Sequence, residues 1–189
     1  MTERIQNVVP KEWNGIHFRS SLEADTAKTL DALGIPYKYE ERKITLQESF
    51  RSPFQKEKVR ALTYTPDFEI GNIMIECKGF ETPEWKIKKK LLFKYLEDKE
   101  PKTIFYQIHD CKKSLIQVLD KYWTSWGYCI QTLSFGTRSK PPIVSLHDSI
   151  SQALQNLHLE GKNIGPILNG LITNKPVYKH YWKLIKITL

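Results

Sequence analysis

An α/β layer with a mixed central sheet flanked by helices is predicted by three features of the chain. Apolar residues recur at helical spacing within residues 20–33 and 84–99, and period-two alternation runs through both flanks of Gly71-Asn72. A short apolar stretch, Lys102 to Ile108, follows the second helix, so strands and helices interleave along the chain.

The elements follow in order after a polar leader. Ser20 to Leu33 is expected to be a helix, because Ser20 suits the N-cap and Leu22, Thr26, Leu30 and Leu33 share a face. Gly34 and Pro36 end it, and the β-branched and aromatic residues of Tyr37 to Leu46 predict a strand. A basic loop from Gln47 to Arg60 leads into a hairpin over roughly Leu62 to Lys78. Pro83 introduces a helix from Glu84 to Lys99, with Ile87, Leu91, Leu92, Tyr95 and Leu96 as its apolar face and Lys86, Lys89, Lys90 and Lys94 opposite. Lys102 to Ile108 reads as a buried strand, Lys113 to Trp126 as a helix, and Cys129 to Leu133 as a last strand. Phe135 to Pro142 has the composition of a linker. Beyond it, Ser149 to Leu157 and Asn163 to Leu168 predict two short helices around a turn.

With 189 residues, the chain is expected to form one main domain, with a boundary near residue 137 and a small appendage over 138–189. Its formal charge of +8 and pI near 9.3 point to a polyanionic partner. Cys77, Cys111 and Cys129 are odd in number and form no C-x-x-C pair, which argues against a disulfide framework or structural zinc. Met1 to Asn7 lack a signal-peptide pattern and no apolar run approaches membrane-span length, so a cytoplasmic protein without membrane partners is expected.

The chemistry concentrates in the hairpin. With Gly71-Asn72 as a two-residue turn, Ile70 faces Ile73, Glu69 faces Met74, Phe68 faces Ile75 and Asp67 faces Glu76. Alternation then turns Phe68, Ile70, Ile73, Ile75 and Cys77 into a core and places Asp67, Glu76 and Lys78 on the other face. Two opposed carboxylates repel, so a cation between them is the natural remedy. A magnesium-like ion needs hard oxygen ligands, here Asp67, Glu76 and the backbone carbonyl of Cys77, while Lys78 could orient or deprotonate an attacking water or stabilise developing charge. The alternative is a surface hairpin whose charges point at solvent, with Lys78 neutralising Glu76.

Tyr64-Thr65-Pro66-Asp67-Phe68 followed by Ile75-Glu76-Cys77-Lys78-Gly79 resembles the catalytic motif of the PD-(D/E)XK nuclease superfamily. With Phe18-Arg19-Ser20-Ser21-Leu22-Glu23 and Gly34-Ile35 upstream of Tyr39-Glu40-Glu41, the arrangement is similar to the junction-resolving bacteriophage endonuclease I family, over about residues 16–80. That resemblance implies a restriction-endonuclease-like core with Mg2+ or Mn2+ held by Glu23, Asp67 and Glu76, and with Lys78 catalytic. Glu23 also has a local reading: Ser20 to Glu23 form a capping-box pattern in which the glutamate bonds back to the Ser20 amide. The loop from Gln47 to Arg60 is longer than in that family, and the segment after residue 140 is foreign to it.

That later segment, through Ser149 to Leu154, Ile167 to Gly170 and Tyr181 to Lys183, resembles the helix-turn-helix modules of phage intron-encoded homing nucleases. The alternative is an ordinary helical appendage. Phosphate contacts are expected from Arg19, Arg51, Arg60, Lys86, Lys89, Lys90 and Lys94, and from Lys162, Asn163 and Lys175 in the tail, unless these only solvate the surface. His109-Asp110 has no Ser or Cys nucleophile for a triad and is read as strand-end packing. The expectation is a metal-dependent, phage-type DNA endonuclease, site-directed or resolvase-like, acting on duplex or branched DNA as a homodimer or by successive nicks. A non-catalytic DNA-binding or architectural protein is the alternative, and RNA cleavage a third reading.

Overall fold

The computed structural model describes residues 10–110, 114–135, 141–162 and 165–186. Over these the protein is mixed α/β, with five helices and four small sheets. The chain divides into two compact units: one joins Met1–Ile35 to Asp110–Leu189, and the other is the intervening Pro36–His109.

The first unit opens with a hairpin where a polar leader was expected. Strands β1 (Lys11–Trp13) and β2 (Ile16–Phe18) are joined by Asn14 and Gly15, whose φ values of 49° and 76° are those a type I′ turn requires. Asp31 on helix α1 (Ser21–Ala32) anchors this hairpin, its Oδ2 accepting from Trp13 Nε1 at 2.6 Å and Asn14 Nδ2 at 2.9 Å. Ser20 caps α1 as its sequence predicts, and Gly34 ends it at φ +67°, the left-handed conformation that suits glycine.

The central unit contains β3 (Lys38–Tyr39), β4 (Ile44–Gln47), β5 (Leu62–Tyr64), β6 (Phe68–Ile70), β7 (Ile73–Cys77), helix α2 (Pro83–Lys99) and β8 (Ile104–Ile108). The single strand expected over 37–46 is broken near Glu40, whose φ is 49°; β3 then pairs with β6, and β4 with β5 in a separate ribbon. The main sheet runs β3-β6-β7-β8, antiparallel except for the parallel β7/β8 pair that α2 connects. Thr82 caps α2 by accepting from the Trp85 amide, Pro83 occupies its first turn and Lys99 its last, each suited to its end of the helix dipole.

Against one face of this sheet Ile44, Tyr64, Met74, Trp85, Leu92 and Leu96 form a buried cluster. The face of α2 differs from expectation: Trp85 belongs to the core, whereas Ile87 is 63% exposed. The i, i+7, i+11 row of Trp85, Leu92 and Leu96 is set by the position of Tyr64 and Met74 beneath it, not by apolar content alone. At the far end, Arg42 bridges Glu69 at 2.8 Å and Glu100 at 2.7 Å. Burial works against the Glu100 charge, but the Arg42 hydrogen bond and its positive charge hold that carboxyl below its ordinary value. A depressed carboxyl stabilises above its unfolded pKa of about 4.3 and loses that contribution as pH falls through the lower folded value. Glu100→Gln should therefore be weaker by ~0.5–1 kcal/mol at pH 7 and converge on wild type at acidic pH, as urea midpoints across pH would record.

The first unit resumes with α3 (Leu115–Ser125), β9 (Tyr128–Ser134), β10 (Val144–His147), α4 (Ile150–Asn156), α5 (Gly165–Thr173) and β11 (His180–Lys186). Its sheet runs β10-β9-β11, all antiparallel, with β9 in the centre. The boundary expected at 137/138 falls inside this sheet, because β9 precedes it and both neighbours of β9 follow it. The two predicted tail helices are present as α4 and α5, but they connect β10 to β11 instead of forming an appended module. Asp120 of α3 accepts from the Ile150 amide at 2.9 Å and the Ser151 hydroxyl at 2.6 Å, tying α4 to the unit. Among the described residues no helix is long and apolar enough to cross a membrane.

Candidate active site

The hairpin has the register that counting outward from Gly71-Asn72 predicts: Ile70 pairs with Ile73, Glu69 with Met74 and Phe68 with Ile75. Gly71 takes φ +59° in the first turn position, where a type II′ turn calls for glycine. The ladder stops there, one pair short of Asp67 and Glu76. Pro66 has no amide hydrogen to extend it, and the Asp67 side chain takes over: its Oδ2 accepts from the Cys77 amide at 2.6 Å. Amide and carbonyl of one strand residue point to the same edge, so the Cys77 carbonyl lies on the Asp67 side. The opposite edge of β7 is occupied by β8, to which the Lys78 amide donates through Ile108 O at 2.9 Å.

Both faces of β7 are buried, which corrects the picture of a solvated acidic face. Asp67 is 4% and Glu76 2% exposed, beside the apolar cluster containing Met74. Carboxylates so placed need partners. Glu76 Oε2 accepts from the Tyr64 hydroxyl at 2.7 Å, and Oε1 lies 2.6 Å from Lys78 Nζ. Burial, then the charge of Glu76 and its hydrogen bond, push the Tyr64 phenol well above its ordinary value, so it remains a donor to Glu76. The Lys78 ammonium also sits over the Trp85 ring, 5.1 Å from its centroid.

A second layer comes from β8. Gln107 pairs with Glu76 in the parallel ladder, and its Oε1 accepts from Trp85 Nε1 at 3.0 Å and Lys89 Nζ at 3.1 Å. Lys89 also pairs with Glu81, just before α2. His109 Nδ1 contacts the Lys78 carbonyl, which requires the proton on that nitrogen, and Nε2 faces Gln107 Nε2 at 3.2 Å. His109 thus serves at the strand end.

Comparison with protein-family models, curated proteins and solved structures returned no match.

Of the predicted site residues, Asp67, Glu76, Cys77 and Lys78 come together in the central unit. Glu23 lies in the other unit, where it caps α1: Oε2 accepts from the Arg19 amide at 3.0 Å, one residue before the expected Ser20, and Oε1 accepts from the Ser20 hydroxyl at 2.7 Å. Among the described residues no group of three or more His, Cys, Asp and Glu side chains is arranged to hold a metal ion. Magnesium, however, commonly uses one or two carboxylates with waters and substrate phosphates, so Asp67, Glu76 and the Cys77 carbonyl fit its donor preferences.

The expected phosphate-binding stripe separates into three kinds of lysine. Lys86 and Lys90 are exposed, Lys94 pairs with Asp98 at 2.7 Å, and Lys89 turns into the site. Arg19, Arg51, Arg60, Lys162 and Lys175 are exposed, and Asn163 lies outside the described residues. Tyr64, Gln107 and Glu81 were not anticipated as site residues. Gln107 had a signal, as a polar residue inside an otherwise apolar strand, Ile104 to Ile108.

Proposed function

We propose that the protein is a divalent-metal-dependent DNA endonuclease with a PD-(D/E)XK-type centre formed by Asp67, Glu76 and Lys78. The observation that carries this reading is the hairpin itself: a backbone ladder that ends one pair short of Asp67 and of a buried Glu76 whose second oxygen meets a lysine ammonium at 2.6 Å. Such a cluster conflicts with the apolar cluster around it, and conflicts of this kind mark functional sites.

Asp67, Glu76 and the Cys77 carbonyl would hold the ion, which when bound supplies Lewis-acid stabilisation and a more acidic water. Tyr64 fixes the Glu76 carboxylate in one rotamer by donating to Oε2. Lys78, supported by the Trp85 ring, places positive charge where negative charge builds up on a phosphate oxygen, and it can orient the attacking water by donation. The +8 charge favours a polyanionic substrate. The exposed Lys86 and Lys90 follow the centre on α2 and suit backbone contact, while Lys162 and Lys175 are the corresponding candidates in the first unit. Either a homodimer or two nicks would give duplex cleavage.

One observation favours the non-catalytic reading, in which the core only grips DNA. Both Glu76 oxygens and Asp67 Oδ2 already have protein partners. Incubating plasmid, four-way-junction and RNA substrates with Mg2+, Mn2+ or EDTA separates the two. Metal-dependent cleavage by wild type and its loss in Glu76→Ala are expected, with DNA binding retained. Binding without cleavage of any substrate by wild type would support the gripping role, and undiminished cleavage by Glu76→Ala would remove the proposed centre.

A further inference from the structure

Lys89 departs from the exposed Lys86, Lys90 and Lys94 of α2. Its side chain is 24% exposed against 67% for Lys94, and its ammonium is bound by Gln107 Oε1 at 3.1 Å and by Glu81. Gln107 is the ladder partner of Glu76 and receives the indole hydrogen of Trp85, the same ring that supports Lys78. A single amide oxygen therefore links a second ammonium to the layer containing the proposed centre.

The partner anion has a different setting. Glu81 follows the exposed Gly79 and Phe80 in the segment between β7 and α2, and its side chain is 27% exposed. Hydrogen bonds from Lys89 and then Gln107 hold its carboxyl below the ordinary value, so at neutral pH it is an anion with the hard oxygen donors of a phosphate. An ion pair this accessible to water contributes little to stability. Without the ion, Asp67, Glu76 and Glu81 outweigh Lys78 and Lys89, leaving the centre negative toward an approaching polyanion. Exchanging Glu81 for a phosphate oxygen would keep Lys89 and Gln107 satisfied and remove one like charge from the path of the DNA.

We propose that Lys89 is the seat for a DNA backbone phosphate adjacent to the cleaved one, and that Glu81 is the displaceable anion that fills this seat in the free protein. The inference rests on the nuclease reading for its location, but its test is a binding measurement. Affinity of a labelled duplex and a labelled four-way junction is measured in EDTA across a salt series for wild type, Lys89→Met, Lys89→Arg, Glu81→Gln and the Lys89→Met/Glu81→Gln double variant.

Lys89→Met should reduce the slope of log K against log salt by about 0.9, the value for one lost phosphate contact, while Lys89→Arg keeps it. Glu81→Gln should bind about five-fold more tightly. In the double variant that gain should shrink, because the part that comes from freeing Lys89 is lost and only the removal of one like charge remains. A mere staple between loop and helix would lower the melting temperature of Lys89→Met and Glu81→Gln equally and leave the slopes alone. An unchanged slope in Lys89→Met, or wild-type affinity in Glu81→Gln, overturns the proposal. If Lys89→Met does not fold, Lys89→Gln replaces it under the same slope criterion, and the affinity of Glu81→Gln decides as before. Metal-dependent cleavage by wild type alongside an unchanged Lys89→Met slope removes the seat and leaves the nuclease reading; the predicted slopes without any cleavage do the reverse.

Discussion

Lys78→Met should slow metal-dependent DNA cleavage by roughly 10²–10³-fold, the loss seen when one preorganised donor to a developing anion is removed. Methionine keeps most of the apolar stem on the Trp85 ring, which Lys78 approaches to 5.1 Å, and deletes only the ammonium 2.6 Å from Glu76. Glu76 would retain the Tyr64 hydroxyl but lose its counter-charge. Because Lys78 is 34% exposed, water can partly replace that charge, and the expected stability cost is ~1–2 kcal/mol. A role confined to neutralising Glu76 makes a different prediction. In that case the Lys78→Met/Glu76→Gln pair, with no charge left to balance, regains stability and nothing further depends on the lysine. If Lys78 acts at the phosphate, cleavage falls in Lys78→Met under conditions where that variant is fully folded, while the double variant, which also lacks the Glu76 carboxylate, reports on stability alone. Single-turnover rates and denaturant midpoints on the same four proteins distinguish these roles, and a stable Lys78→Met that cleaves at the wild-type rate would exclude the lysine from the chemistry.

The hairpin was legible because its determinants are local. Gly71 at the turn, Pro66 ahead of Asp67 and an alternation broken only by Met74 specify register and ladder end without reference to distant residues. Thr82-Pro83 and Ser20 were legible for the same reason, since caps act within one turn. Asn14-Gly15 carried an equally local hairpin signal, hidden by the polar residues around it. The β10-β9-β11 sheet was not legible. In β10 the alternation is inverted, with Val144 and Leu146 exposed and His147 buried against Thr132 at 3.0 Å, so hydrophobicity misstates which side faces inward. β11 pairs with β9 across nearly fifty residues of chain, and no short-range pattern reports such a partner. The carboxylates illustrate the same limit. Repulsion between Asp67 and Glu76 was evident from spacing, as was Lys78 as a counter-charge for Glu76, but the Tyr64 hydroxyl and the Cys77 amide that complete the accommodation were not read from the pattern.

Phe68→Ala should destabilise the central unit by ~3–5 kcal/mol, the range for removing a large aromatic side chain from a closed core. Phe68 is 0% exposed, follows Asp67 directly and meets the rings of Tyr37 and Tyr39 at centroid distances of 5.4 and 5.2 Å. Its contacts therefore join β3 to the hairpin as well as filling space. A unit of this size has a stability of order 5 kcal/mol, so the variant should be substantially unfolded at moderate temperature. Phe68→Leu, which retains much of the volume, should cost only ~1.5 kcal/mol. Hydrogen exchange at the amides of Ile70, Ile73 and Ile75 gives the local readout, free of assumptions about how the two units unfold. Protection there should collapse in Phe68→Ala, and cleavage should fall with it although Asp67, Glu76 and Lys78 are untouched. If protection persists while cleavage disappears, Phe68 acts on the site itself and not through the fold. If both persist, the packing around Phe68 is not what holds Asp67 beside Glu76, and the backbone hydrogen bonds of β6 and β7 must do so alone.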